Sequence, residues 1–132
     1  MKHEHLIARI AIVLVAAFFA LMGAYGLADP QGVLAIFAPQ EFNLEMRNEI
    51  RAVYGGFGLA VAGVLLFSLR RSVWTAGVRL AVAVAVLGMA GGRLVSFVLE
   101  QPAGNGPVLL LFVEFGLAGL LMLSLWLDRR TA

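Results

Sequence analysis

The chain has 132 residues, of which 61% are hydrophobic and only 14% are charged. Soluble domains carry roughly one-quarter charged residues, so this composition argues against a water-soluble fold. The chain contains no cysteine, which excludes disulfides, thiolate metal sites and iron–sulfur clusters. Its formal net charge of +2 provides no extended basic surface of the kind that binds nucleic acid.

Apolar runs long enough to cross a bilayer divide the chain into four predicted helices. About 20 apolar residues suffice for one crossing as a helix. The first run, Ile10 to Ala28, contains no charge at all. We therefore predict an all-α fold, a four-transmembrane-helix bundle that forms a single integral-membrane domain over 1–132. Its spans are predicted at about 10–28, 50–69, 74–99 and 107–127.

The first span has an alternative interpretation as a cleaved signal peptide. Lys2 and Arg9 form a basic amino-terminal region, and Gly26-Leu27-Ala28 resembles a small-residue cleavage site. The uncharged run is longer than the usual apolar region of a signal peptide. Its length therefore favours a membrane span.

A short interfacial segment is predicted between the first two spans. Residues 31–38 contain four large apolar side chains, which favours a helical or re-entrant piece at the membrane surface that ends before Pro39. Asn43 can act as an N-cap. The second helix is therefore expected to begin near Leu44.

Lys and Arg residues are distributed unevenly between the two ends of the spans. Seven of them flank the spans on the side of the termini, whereas Arg47 and Arg51 flank them on the other side. Cytoplasmic flanks carry such an excess. The sequence thus predicts a multi-pass protein of the bacterial inner membrane with both termini in the cytoplasm.

Charged residues within the spans indicate a polar site near the periplasmic side. Arg51 and Arg93 each lie 19 residues from the opposite end of their spans, which corresponds to about 28 Å of helix. Glu114 lies 12 residues from Trp126, or about 18 Å from the same end. Because a charge in a span usually faces the bundle interior or a wet cavity, we expect these three side chains to converge.

Two groups of residues are singled out by this argument. The residues predicted to bind a ligand are polar and lie near that level: Asn48, Glu49, Arg51, Tyr54, Arg93 and Glu114. The residues predicted to allow close helix packing are small: Gly55, Gly56, Gly88 and Gly92.

The charged cluster supports more than one interpretation. Two arginines and one glutamate leave an excess positive charge in a medium of low dielectric constant, which favours an anion or a polar head group. Alternatively, an Arg93–Glu114 pair only sets helix register while Arg51 extends to the interface. Proton translocation through Glu114 lacks a second titratable residue toward the cytoplasm.

The segment Arg47-Asn48-Glu49-Ile50-Arg51-Ala52-Val53-Tyr54-Gly55-Gly56 resembles the signature of a bacterial family of four-helix membrane proteins with a domain of unknown function. Gly92-Arg93-Leu94-Val95-Ser96 and Glu114 are also similar to that family, so the resemblance extends along essentially the whole chain. The resemblance implies a membrane protein of about this length and brings with it no catalytic residue or ligand.

The function that we predict is non-enzymatic. The serines in the spans have no His or Lys partner, and Glu114 is the sole candidate general base within a span. The expected partner is a membrane lipid or small amphiphile with an anionic or polar head, which the protein would bind or move. The alternative is an accessory or scaffold subunit that packs against another membrane protein or a second copy of the chain. We expect no cofactor, no metal and no nucleic acid.

Overall fold

The computed structural model describes residues 2–36, 44–70, 72–99 and 105–131. Within these ranges all regular secondary structure is helical. The helices are α1 (Lys2–Ala28), α2 (Pro30–Ala35), α3 (Leu44–Ile50), a π-helical turn (Arg51–Gly56), α4 (Phe57–Ser68), α5 (Ser72–Leu99) and α6 (Asn105–Thr131).

Four helical segments are long and apolar enough to cross a membrane: His3–Ala28, Met46–Ser68, Thr75–Leu99 and Asn105–Arg129. They confirm the predicted all-α fold with four spans. The first helix begins at Lys2 rather than near Ile10, because its polar first turns continue the helix beyond the apolar run. The second helical segment begins at Leu44, as predicted, whereas its predicted N-cap, Asn43, lies outside the described residues.

The predicted interfacial segment contains the short helix α2. The Asp29 carboxylate accepts a hydrogen bond of 2.9 Å from the Gly32 N–H, and Pro30 occupies the first turn, where its missing N–H costs nothing. Pro30 and Val33 are buried, so α2 is held against the bundle. Residues 37–39, where the segment was predicted to end, lie outside the described residues.

The helices do not pack evenly around the bundle. α1 packs along α4 and along α6, and α6 packs along α5, whereas α4 and α5 approach each other less extensively. The core takes side chains from all four: Ile12, Val15, Ala16, Leu65, Ala83, Val86, Leu117, Ala118 and Leu121. Large apolar side chains such as Leu21, Phe112 and Val98 remain 70–84% exposed on the outside. That outward apolar surface is what a lipid environment favours.

Glycines bring α1 and α4 into close contact. A Cβ atom built on Gly58 would lie 3.2 Å from the Cα of Gly23, and one built on Gly23 would lie 2.8 Å from the Leu59 backbone nitrogen. A Cβ on Gly55 would lie 2.6 Å from the side chain of Leu27. Small residues permit this backbone approach, because lipid supplies little hydrophobic drive between helices.

The other three glycines predicted to pack helices have different surroundings. Around Gly56 the nearest atom to a built Cβ is the Arg51 carbonyl oxygen of its own turn, at 3.8 Å. A Cβ atom built on Gly88 or Gly92 would lie more than 4 Å from every described atom outside its own stretch of helix. Within the described part of the chain these two glycines therefore mediate no close approach, because their face of α5 points away from α4 and α6.

The bundle has a terminal end and a loop end. The terminal end carries the start of α1, the end of α4, the start of α5 and the end of α6. The loop end carries the end of α1, α2, the π-helical turn, the end of α5 and the start of α6.

Candidate functional site

Arg93 on α5 and Glu114 on α6 form an ion pair toward the loop end. The Nε of Arg93 donates a hydrogen bond of 2.8 Å to Oε1 of Glu114. The side chain of Glu114 is 6% exposed and that of Arg93 is 18% exposed. The depth argument placed these two residues together, and the structure pairs them.

A small cavity of about 30 Å³ adjoins the ion pair. Tyr54, from the π-helical turn, lines it together with Arg93 and Glu114. Its remaining lining residues are apolar: Phe18, Phe19, Met22, Val86, Met89, Leu110, Val113 and Leu117. A water molecule needs about 10–15 Å³ of cavity volume. The cavity therefore has room for a small polar group.

The second carboxylate oxygen of Glu114, Oε2, is buried and has no hydrogen-bond partner among the described residues. A buried acceptor without a partner costs about 1–3 kcal/mol, and more when it is charged. The arrangement therefore leaves an acceptor that a hydrogen-bond donor entering the site would satisfy.

A larger apolar cavity of about 460 Å³ lies between α4 and α5. It occupies the side of the bundle where these two helices approach each other least extensively. All its lining residues are apolar: Phe19, Phe57, Ala60, Val61, Val64, Ala81, Val82, Ala85, Val86 and Met89. Phe19, Val86 and Met89 also line the small polar cavity, so the two cavities are neighbours.

The structure does not bring Arg51 to the Arg93–Glu114 pair. With the rotation of about 100° per residue of a regular α-helix, Arg51 and Tyr54 would lie on one helix face. Residues 51–56 form a π-helical turn instead, and the i→i+5 hydrogen bonds of such a turn advance the chain by a smaller angle per residue. Arg51 is consequently exposed, whereas Tyr54 is partly buried beside the pair.

Arg51 stabilises the end of α1. Its Nε donates a hydrogen bond of 3.3 Å to the carbonyl oxygen of Leu27, one of the last four carbonyls of a helix that ends at Ala28. Those carbonyls have no partner within the helix, and a cation near them also interacts favourably with the helix dipole. This contact gives Arg51 a structural role at the loop end.

The remaining predicted ligand residues lie to the side of the small cavity. Glu49 lines a separate surface cavity of about 280 Å³ with Leu34, Met46, Ile50 and Tyr54. Asn48 is exposed and lines neither of these cavities. Of the predicted ligand residues on this segment, Tyr54 is therefore the one that lines the cavity beside the buried pair.

A second charged cluster, at the terminal end, was not anticipated. Arg79, near the start of α5, is 2% exposed. Its Nη2 donates to Oδ2 of Asp128 at 2.6 Å, its Nη1 to Oγ of Ser124 at 3.1 Å, and its Nε to the Thr75 carbonyl at 3.0 Å. Asp128 Oδ1 also lies 3.4 Å from Nδ1 of His5. Within the described ranges no three His, Cys, Asp or Glu residues could hold a metal ion.

The spacing of the charges contains a signal for this second cluster. Fourteen residues separate Arg79 from Arg93 on α5, and fourteen also separate Glu114 from Asp128 on α6. In an antiparallel helix pair, a contact between Arg93 and Glu114 therefore places residue 128 opposite residue 79, about 21 Å along the pair. Both ion pairs specify the same register of α5 against α6.

No curated protein and no solved structure matches the chain significantly. A family model described as "Domain of unknown function (DUF4345)" matches residues 7–125. The match extends into all four spans and includes the Arg93–Glu114 pair and Arg79. The chain belongs to the DUF4345 family, as its resemblance to a four-helix membrane family of unknown function predicted.

Proposed function

We propose that the protein is a non-enzymatic integral membrane protein that binds or moves an amphiphile, with the polar head at the Arg93–Glu114 pair. The observation that carries this proposal is the buried Oε2 of Glu114, an acceptor without a partner, beside an apolar cavity of about 460 Å³. An amphiphile has a polar head that suits the small polar cavity and an apolar chain that suits the neighbouring apolar cavity.

The apolar cavity suits a hydrocarbon chain. It lies between α4 and α5, and its volume is within the range of small-ligand sites. Its lining is entirely apolar, so it can make dispersion contacts with a hydrocarbon chain. The shared residues Phe19, Val86 and Met89 lead from this cavity to the ion pair.

The polar cavity favours a small hydrogen-bond donor over a bulky anion. Without Arg51, the lining charges are one arginine and one glutamate, so the excess positive charge that favoured an anion is absent at this cavity. A volume of about 30 Å³ admits a hydroxyl or an amino group. We therefore narrow the expected head from anionic or polar to polar and hydrogen-bond donating.

The test is native mass spectrometry of the full chain, gently solubilised from its own membranes. We expect a bound amphiphile on the parent protein and its loss from Ala85→Phe, because a phenyl ring there fills the apolar cavity. The matched control is Ala17→Phe, at an exposed position on α1 that does not line this cavity. This control should retain the amphiphile. A parent protein that carries none, or an Ala85→Phe variant that retains it, would contradict the proposal.

The alternative function is an accessory or scaffold subunit, and the open glycines of α5 support it. Gly88 and Gly92 are exposed, and a Cβ built on either would contact no other described helix within 4 Å. A helix of another membrane protein or a second copy could therefore approach closely there. Copurification of a membrane protein at fixed stoichiometry, abolished by Gly88→Leu, would favour the scaffold instead of the amphiphile.

We also propose that the terminal end faces the cytoplasm of a bacterial inner membrane. Arg9, Arg70, Arg79 and Arg129 lie at that end of the described bundle, and cytoplasmic flanks carry the excess of basic residues. Because the chain contains no cysteine, introduced cysteines can be labelled selectively. In intact spheroplasts an impermeant thiol reagent should label Gln31→Cys, at an exposed position of α2, and leave His3→Cys unlabelled. Labelling of His3→Cys alone would reverse the orientation.

A further inference from the structure

The terminal end of the bundle contains another cavity, of about 620 Å³, that is independent of the proposed amphiphile site. Three arginines line it: Arg9 from α1, Arg70 after α4 and Arg79 from α5. Asp128, from α6, is the only carboxylate among its lining residues in the described part of the chain. The lining therefore carries an excess of positive charge.

Arg9 and Arg70 are free to bind a ligand. Both side chains are exposed, and neither guanidinium makes a hydrogen bond or an ion pair within the described residues. Each guanidinium presents five N–H donors in a planar fork, which matches the oxygens of a phosphate in a bidentate manner.

Arg79 forms the buried, fixed side of the cavity. Its hydrogen bonds to Thr75, Ser124 and Asp128 use one N–H from each of its three nitrogens. A guanidinium has five N–H groups, so two remain for a ligand. The same bonds hold Arg79 in place, which reduces the entropic cost of using it for binding.

We infer that this cavity binds a phosphate group, either the head group of an anionic phospholipid or a soluble phosphate. Three guanidiniums around one cavity repel one another, and a phosphate relieves that repulsion while it accepts hydrogen bonds from each of them. Basic pockets between membrane helices at the cytoplasmic side are suited to phospholipid head groups. The volume lies within the range of small-ligand sites.

Two titrations separate the sources of the phosphate. In the first, full-length protein in phosphatidylcholine nanodiscs receives increasing mole fractions of phosphatidylglycerol, and native mass spectrometry counts the bound anionic lipids. In the second, the same nanodiscs without phosphatidylglycerol receive inorganic phosphate, and thermal unfolding is monitored. Saturable binding in the first titration identifies a lipid head group, whereas a stabilising shift in the second alone identifies a soluble phosphate. Absence of both would overturn the inference.

Arginine-to-glutamine variants test whether the phosphate group binds in this cavity. Arg9→Gln and Arg70→Gln should each weaken binding about fivefold, which is the effect of one basic residue near an anionic head group, and the fold should survive because neither side chain has a partner to lose. Arg129→Gln is the matched control. Arg129 is an exposed arginine at the same end that does not line this cavity, and its replacement should change the affinity less than about twofold. Equal weakening in all three variants would show diffuse surface electrostatics and overturn the inferred site.

Discussion

Alanine at either Arg93 or Glu114 is expected to lower the free energy of unfolding by up to about 3–5 kcal/mol, because each substitution leaves the other charge without its partner at a buried position. Arg93→Ala should cost more than Glu114→Ala. The Glu114 carboxylate is nearly inaccessible, whereas the Arg93 side chain retains 18% exposure and can be partly hydrated.

The double variant distinguishes a true pair from two independent losses. Arg93→Ala combined with Glu114→Ala removes both charges, so the double-mutant cycle should show a coupling energy of about 0.5–3 kcal/mol. The free energy of unfolding of the parent, the two single variants and the double variant is measured in mixed detergent micelles. Arg51→Ala serves as the control arginine, since it is exposed and bonds to a backbone carbonyl, and it should show no coupling to Glu114→Ala. Additive losses for Arg93 and Glu114 would contradict the pairing.

Arg79→Ala is also expected to lower the free energy of unfolding, by about 1–3 kcal/mol, since the Asp128 side chain that it leaves behind is 33% exposed and can be partly hydrated. It removes three hydrogen bonds at once and leaves the buried hydroxyl of Ser124 and the carboxylate of Asp128 without their cationic donor. Arg79→Lys should recover only part of the loss, because an ammonium retains the charge but cannot reproduce the planar fork.

The matched control for Arg79 is Arg70→Ala. Arg70 lines the same cavity, but its side chain has no partner within the described residues, so its loss should change the free energy of unfolding by no more than about 0.5 kcal/mol. Thermal and denaturant unfolding of the purified variants in one detergent provide the comparison. If Arg79→Ala were as mild as Arg70→Ala, the buried network would contribute nothing to stability.

The two ion pairs specify the register in which α5 and α6 pack. Both pairs join these helices, one toward each end, and their equal fourteen-residue spacing permits only one antiparallel register. In lipid, apolar side chains alone discriminate poorly between registers, since lipid and protein are similarly apolar. Paired charges discriminate strongly, because a shift would leave them unpaired in a medium of low dielectric constant. We expect the two pairs to contribute specificity as well as stability.

The sequence by itself determined the membrane-spanning architecture. The length of the apolar runs set the number of spans, because a helix must satisfy its own backbone hydrogen bonds to cross the bilayer. Helix rise per residue then placed Arg93 and Glu114 at compatible depths. The depth of a residue depends only on its position along its own helix. The number of spans and the depths of Arg93 and Glu114 can therefore be predicted without knowing which helices are neighbours.

Tertiary structure decided which polar residues meet. The π-helical turn rotated Arg51 away from Tyr54, and helical periodicity cannot anticipate a local change in the number of residues per turn. The burial of Arg79 and the close approach of Gly23 to Gly58 depend on α6 packing against α5 and on α1 packing against α4. Neighbour relations follow from the combined packing of all the helices, which no single helix's sequence pattern specifies.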